Sequence, residues 1–309
     1  CILIFCAGLL VFYILALRRL RYWKRWYLPA LAVFLAVSLT GLTRRPKQGL
    51  EIFFLDVGQG DGIYIREEGG HTIMIDGGSS DGWKIGENCL LPAVRWSGAD
   101  EIDDWFLSHP DQDHMSGLEE ALTSGFPIKR LWIPVPFKDH ETVAVLEGLA
   151  AANGTRIIYT APGLLLSGEG FSMTCLHPAS DIFLSSDNDG SMVLKLEYNK
   201  TGILFTGDVE ISGEQAILAR YGKDADILDC QILKVAHHGS SGSTGTPFLQ
   251  AVSPELAVIS CGFGNSYGHP HQKLLDRLEA QGCRQAVTWE QGAVIIQVQG
   301  EKVYQSRWK

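Results

Sequence analysis

The chain has 309 residues, 46% of them hydrophobic and 20% charged, with a formal net charge of −9, a length that allows one large domain or two smaller ones. Residues 1–50 hold eight of the 26 basic side chains and no acidic one, which leaves 18 basic against 35 acidic residues beyond position 50, a net of −17. A body that acidic excludes nucleic-acid binding by bulk positive charge, so an anionic substrate must be met by a local feature such as a metal ion.

The chain opens on Cys1 and not on Met, and it reads as the C-terminal part of a longer protein. Its first segment, CILIFCAGLLVFYILAL (1–17), is uncharged and apolar, and so is YLPALAVFLAVSLTGL (27–42). Each approaches the roughly 20 residues that span a bilayer. The basic loop RRLRYWKR (18–25) lies between the two, whereas a signal peptide would put its basic residues first. The expectation is therefore two transmembrane helices within 1–43. The loop carries five basic residues and the following TRRPK (43–47) three. The positive-inside bias then puts the loop in the cytoplasm and the remainder outside the cell membrane. Residues 44–50 read as the linker to a body at 51–309.

That body alternates short apolar strands with helices. Strands are expected at 51–57, 62–65, 72–78, 104–109, 131–134 and 156–159, and helices at 87–98, 116–124 and 139–154. The second half repeats the style, with strands at 171–178, 191–198, 202–208, 231–240, 255–261, 286–289 and 293–299. Helices fall at 212–222, near 246–252 and at 271–282. Many strands are apolar on both parities, as in strands buried on both faces. Two sheets packed face to face with helices outside satisfy this pattern. The seven cysteines are scattered and form no Cys-x-x-Cys motif, so neither a cysteine zinc site nor a redox motif is expected.

Polar clusters fall at the ends of these strands. LSHPDQDHMSG (107–117) places His109, Asp111, Asp113 and His114 within six residues. Asp208 ends ILFTGD, and His237 and His238 follow ILKVA. A rigid strand end holds a ligand within the tolerance a metal requires. Four potential ligands from one turn would close a single tetrahedral site. With Asp208 and His237 added, the set suits two ions bridged by a carboxylate. Asp56, Asp61 and Asp76 read as turn residues or supports, and Asp76 is the choice for orienting a ligand histidine. The glycines of DVGQGD permit a tight turn near the metals. His269, in NSYGHPH, lies between a strand and a helix and is placed either as a proton donor or substrate contact or as a structural residue.

LSHPDQDH, LFTGD and LKVAHHGS, in that order, resemble the metallo-β-lactamase superfamily motifs. FLDVGQGD, MIDGG and YGHP narrow the likeness to the C-terminal domain of the ComEC family, membrane channel proteins of bacterial DNA uptake. The resemblance spans about residues 1–299. It implies an α/β, four-layer αββα sandwich preceded by the two transmembrane helices. It also implies two divalent metal ions, manganese or zinc. His109 and Asp111 would hold the first, Asp113 and His114 the second, with Asp208 bridging and His237 completing the second site. His238 competes with His237 for that place. Asp111 stands where a zinc enzyme more often has histidine, and oxygen ligands shift preference toward manganese or magnesium. The third motif, SSDNDGSMVL, has no histidine and offers Asn188 and Asp189 as oxygen donors.

The function implied is a nuclease acting on the non-transported DNA strand, with Asp113 and the metals orienting the nucleophile and His269 or water protonating the leaving oxygen. DNA, the membrane and other DNA-uptake proteins are the partners. A hydrolase of a small extracytoplasmic ester, lactam or phosphodiester is a second reading, and a catalytically weak DNA-binding or gating domain a third.

Overall fold

β-Branched and aromatic runs separated by glycine turns form three antiparallel strands, β1 (Leu50–Phe54), β2 (Ile63–Arg66) and β3 (Thr72–Ile75). The computed structural model describes residues 49–308 apart from Trp83, Glu169 and residues 181–183. The expected membrane helices of 1–43 and nearly all of the linker lie outside the described residues. Among the described residues no helix is long and apolar enough to cross a membrane.

After β3 the chain changes to parallel strands, β4 (Ile102–Phe106), β5 (Ile128–Pro134) and β6 (Arg156–Thr160). Each needs a crossover, supplied by helices α1 (Leu91–Ser97), α2 (Gln112–Thr123) and α3 (Glu141–Asn153). The second sheet repeats this plan. Strands β7 (Gly163–Gly168), β8 (Phe171–His177), β9 (Val193–Tyr198) and β10 (Thr201–Phe205) pair antiparallel. Strands β11 (Ile232–Lys234), β12 (Leu256–Ile259) and β13 (Arg284–Val287) then add in parallel. Their crossovers contain α4 (Ile211–Tyr221), α5 (Thr246–Val252) and α6 (Gln272–Ala280). The chain finally returns to the first sheet with β14 (Ala293–Gln299) beside β1 and β15 (Lys302–Trp308) at the edge. The orders are β15-β14-β1-β2-β3-β4-β5-β6 and β13-β12-β11-β10-β9-β8-β7.

The strand period of two decides what each core contains. Ile52 pairs with Ile65 and Ile296, and all three join Leu194, Ile203 and Val258 between the sheets. Phe53 and Tyr64 point the other way and pack with Trp105, Leu118 and Leu146 under α2 and α3. On the far side Leu204, Leu233 and Ala257 pack against Ile217, Phe248 and Leu274 of α4, α5 and α6. Three apolar cores separated by two sheets make the four-layer αββα sandwich expected from the sequence. The cysteines of this body are free, and all but Cys89 are buried.

Two strands escaped the sequence reading. β7 has no buried residue and β15 is exposed throughout, so neither carries an apolar alternation. Helix α2 begins at Gln112 and not near 116: Asp111 is its extended N-cap residue and Asp113 an acid in its first turn, a position favoured by the helix dipole. The ligand-rich motif thus straddles a helix start. The C-terminal ends of β3, β4, β10 and β11 meet at one end of the sandwich, and the polar residues follow those four ends.

Candidate metal centre

Glycines let two backbone segments close on the motif after β4. Asp61 N–H donates to the Asp113 carbonyl at 3.0 Å, and Gly77 N–H donates to the His114 carbonyl at 2.8 Å. A Cβ on Gly78 would lie 2.5 Å from the backbone of Asp113 and His114, and one on Gly60 2.5 Å from the Asp113 carbonyl. Only glycine fits at either place. After β11, His237 and His238 both adopt left-handed backbone conformations, with φ of 50° and 52°. Such geometry persists where the surroundings over-determine it. Here His237 N–H donates to the Gly207 carbonyl at 3.1 Å, and Ser240 N–H to the His237 carbonyl at 2.8 Å.

The side chains of Asp113, His114, Asp208 and His238 converge, with one ligand atom from each within 4.8 Å of the others. Asp208 lies at the centre. Its Oδ1 is 3.2 Å from His114 Nε2, and its Oδ2 is 3.3 Å from His238 Nε2. His238 Nε2 is also 3.3 Å from Asp113 Oδ2. Beside this group, His109 Nε2 lies 3.4 Å from Asp111 Oδ2, and the His109 and His114 rings are 4.2 Å apart.

Each imidazole is aimed by a partner on its other nitrogen, as in metal sites generally. Asp76 Oδ2 takes the Nδ1 of His114 at 2.9 Å, and its Oδ1 accepts Ser108 N–H at 2.7 Å. The Ser260 carbonyl takes Nδ1 of His238 at 2.9 Å. The hydroxyls of Ser108 and Ser191 lie 2.9 and 3.2 Å from His109 Nδ1. Ser191 also accepts Asp208 N–H at 3.0 Å.

The Nε2 atoms of His109, His114 and His238 and Asp208 Oδ1 are buried and make no hydrogen bond. Buried polar atoms are normally paired, so this convergence of orphans fits metal ligands. Charge supports the same fit. Of the carboxylates gathered here, Asp61, Asp76, Asp111, Asp113 and Asp208, Asp61 is ion-paired with the buried ammonium of Lys234, which also lies 3.7 Å from Asp208 Oδ1. Four negative charges remain, which two divalent ions match. The pocket's field acts on protons in the same sense. Burial opposes charge on His238, yet Asp208 and Asp61 push its pKa up to about 10. Burial likewise opposes charge on His114, but Asp208 and Asp76 hold it well above the imidazole range. Burial favours a neutral Asp113, but the close contact with His238 and the charge of the nearby imidazoles bring it down to about 2. The centre suits a dinuclear divalent metal site, and loading it displaces protons from the imidazoles.

Several sequence expectations change in detail. His237 is not in the converging group. Its ring is partly exposed, with Nε2 3.8 Å from Asp208 Oδ2 and Nδ1 3.5 Å from Glu210 Oε1. His238 takes the position assigned to His237, because the Ser260 carbonyl holds its Nδ1 and turns Nε2 toward Asp208. Asp189 also points elsewhere: its carboxylate accepts from Ser185, from Ser212 at 2.6 Å and from Gly213 N–H at 3.3 Å. Asn188 lies in the short turn before it and its backbone carbonyl accepts Ser191 N–H. The third motif therefore reaches the centre through Ser191. Asp76 lies beside His114, with its Oδ2 2.9 Å from the ring Nδ1. His269 sits at the rim, its ring 5.8 Å from His237 and 6.4 Å from His238. Lys234 and the buried role of Asp61 were missed. The available signal was a lysine inside an otherwise apolar strand, three residues before the histidine pair.

Two outcomes are expected. His238→Ala should weaken metal binding by at least about 10- to 100-fold, the loss typical of even a supporting group, and His237→Ala by less. Metal titration of both variants checks this, and equal losses would refute the exchange of roles. Asp111→His should move preference from manganese toward zinc with the fold intact, because imidazole suits zinc better. Competition between the two metals for the variant is the measurement, and an unchanged ratio would speak against a ligand role for Asp111.

Residues 55–146 match the metallo-beta-lactamase superfamily. The architecture is that of the metallo-beta-lactamase fold protein YhfI from Bacillus subtilis, with a TM-score of 0.50 at 13% identity over 82% of this chain and 99% of that one. That likeness concerns the fold alone. The class is thus a metallo-β-lactamase-fold domain. Over most of its length the chain is also similar to ComE operon protein 3 of Bacillus subtilis (strain 168), at 33% identity over 258 residues, 79% of this chain and 32% of that protein. Competence protein ComA of Neisseria gonorrhoeae matches at 27% over 271 residues, 85% of this chain and 36% of that protein. The chain is a ComEC-like protein, and it spans about a third of the length of these curated relatives.

Proposed function

We propose that residues 51–309 form a metal-dependent phosphodiesterase that cuts DNA, degrading the strand a DNA-uptake channel does not transport. The observation that carries this reading is the group of unpaired, buried imidazole nitrogens around Asp208, beside an Asp113 whose side chain is still 23% exposed. A structural metal site is closed by its own ligands, whereas a catalytic one keeps an accessible side. The competence proteins among the relatives supply the DNA context. His109, Asp111 and Asp208 would hold one ion, and Asp113, His114, Asp208 and His238 the other. Divalent ions bound there, manganese or zinc, acidify water and neutralise phosphate oxygens.

The protein's own groups do the rest. Asp113, held ionised, accepts a hydrogen bond from the attacking water and aims its lone pair at phosphorus. Gln59 accepts Gly262 N–H through Oε1 at 3.3 Å, which leaves its amide nitrogen, 3.5 Å away, to donate to His269 Nδ1. That assigns the ring proton of His269 to Nε2. Burial, aided by the neighbouring imidazoles, pushes the pKa of His269 down to about 4, so the ring is neutral at pH 7. His269 therefore serves as a hydrogen-bond donor to the leaving oxygen or to another substrate oxygen, in place of the imidazolium acid that a proton donor would be.

In the whole protein we place residues 1–43 as two membrane helices, 44–50 as the linker and the hydrolase body outside the cell membrane. The test is the full chain loaded with manganese or zinc, incubated with labelled single- and double-stranded DNA. Metal-dependent cleavage supports the reading. A metal-loaded chain that cleaves a small phosphodiester but no DNA overturns it in favour of a small extracytoplasmic substrate.

A further inference from the structure

Three rings form a ladder from the metal centre to solvent. The buried ring of His238 stacks at 6.4 Å and 30° on His269, and His269 stacks at 5.6 Å and 21° on Tyr267. Tyr267 is 57% exposed, and Phe263, four residues earlier on the same loop, is 81% exposed. Single exposed aromatic residues are ordinary on protein surfaces. Phe263 rests against Trp289 with ring centroids 5.2 Å apart, whereas Tyr267 stands in line with the reactive centre and keeps more than half its surface exposed.

The loop is also braced. The Asn265 amide donates to the carbonyls of Gly262 at 2.9 Å and His269 at 2.6 Å, and its Oδ1 accepts His269 N–H at 2.9 Å. Asn265 thus ties both ends of the segment that presents Tyr267. A platform fixed beforehand loses little conformational entropy when a ligand arrives. Charge points the same way. A body with net −17 gains nothing from long-range attraction to a phosphate backbone. Stacking of a base on an aromatic ring needs no net charge and tolerates any sequence.

We propose that Tyr267, flanked by Phe263, is a stacking platform for unpaired nucleobases, which makes single-stranded nucleic acid the substrate class of this site. The inference rests on the nuclease reading above. One face of Tyr267 lies on His269, and the other is open to a base next to the linkage being cut. In a duplex the base faces are already taken by their neighbours.

The experiment compares the manganese-loaded full chain with its Tyr267→Ala and Tyr267→Phe variants on a short labelled single strand and on its duplex. Tyr267→Ala is expected to raise KM for the single strand about 30-fold, the middle of the range for losing one stacked base, with kcat nearly unchanged. Tyr267→Phe keeps the ring and should behave as the parent, and duplex cleavage should not respond. A second measurement titrates a 2-aminopurine-labelled strand into chelator-treated protein. The parent should quench the fluorescence and Tyr267→Ala should not. If the parent cleaves DNA but Tyr267→Ala matches it in KM and in quenching, the platform is wrong and the nuclease reading survives. If the parent cleaves no DNA, the nuclease reading fails, and the quenching titration alone decides for or against the platform.

Discussion

Asp208→Ala is expected to abolish metal-dependent hydrolysis and to remove bound metal from both sides of the centre. The carboxylate faces the Nε2 atoms of two imidazoles through different oxygens, His114 through Oδ1 at 3.2 Å and His238 through Oδ2 at 3.3 Å. Its backbone N–H is fastened to Ser191, which also touches His109. Removing a group that merely supports a ligand costs about 10- to 100-fold in affinity or activity. Loss of a shared ligand should exceed the upper end of that range. Asp113→Ala should be as severe under any metal, since in the proposed mechanism it removes a ligand and the group that orients water. Asp189→Ala is the control: its carboxylate fastens Ser212 and the start of α4, so stability should fall while metal content holds. Metal analysis and cleavage assays on all three variants provide the readout. A normally active, fully metallated Asp208→Ala protein would remove this cluster as the catalytic centre.

The sequence carried the architecture because every core strand is apolar on at least one parity, and β1, β10 and β11 are buried on both. β7 and β15 were illegible for the opposite reason: neither has a fully buried residue, and both are held by ladder hydrogen bonds to β8 and β14. The ligand types were legible because imidazole and carboxylate rarely crowd a single helix start. Choice between neighbours was not. His237 and His238 are chemically identical, and only the Ser260 carbonyl and two left-handed backbone turns decide which ring enters the pocket. The third motif misled because Asp189 looks like a ligand, whereas Ser191 looks like filler. Which of the two reaches the centre depends on how the turn at Asn188–Gly190 is wound.

Lys234→Met should destabilise the metal-free protein strongly and the metal-loaded protein much less. Lys234 is fully buried, with Nζ paired to Asp61 and donating to the Gly207 carbonyl at 2.9 Å. Burial opposes its charge, but Asp61 and Asp208 more than compensate and raise its pKa above the ordinary lysine value. Methionine has similar length and no charge. It would leave Asp61 without its cation in a place water does not reach. Removing one partner of a buried pair costs roughly 3–5 kcal/mol, chiefly because the other charge remains. For a body of this size that is a fall of about 10 °C in Tm. Divalent ions bound at Asp113 and Asp208 add positive charge to the same pocket, so manganese or zinc should recover part of the loss. Asp61→Asn combined with Lys234→Met should be milder than Lys234→Met alone, since both charges leave together. The measurement is thermal unfolding of the parent, the single variant and the double variant, each with chelator and with metal. Equal melting of parent and Lys234→Met under both conditions would show that the ammonium does not balance these carboxylates.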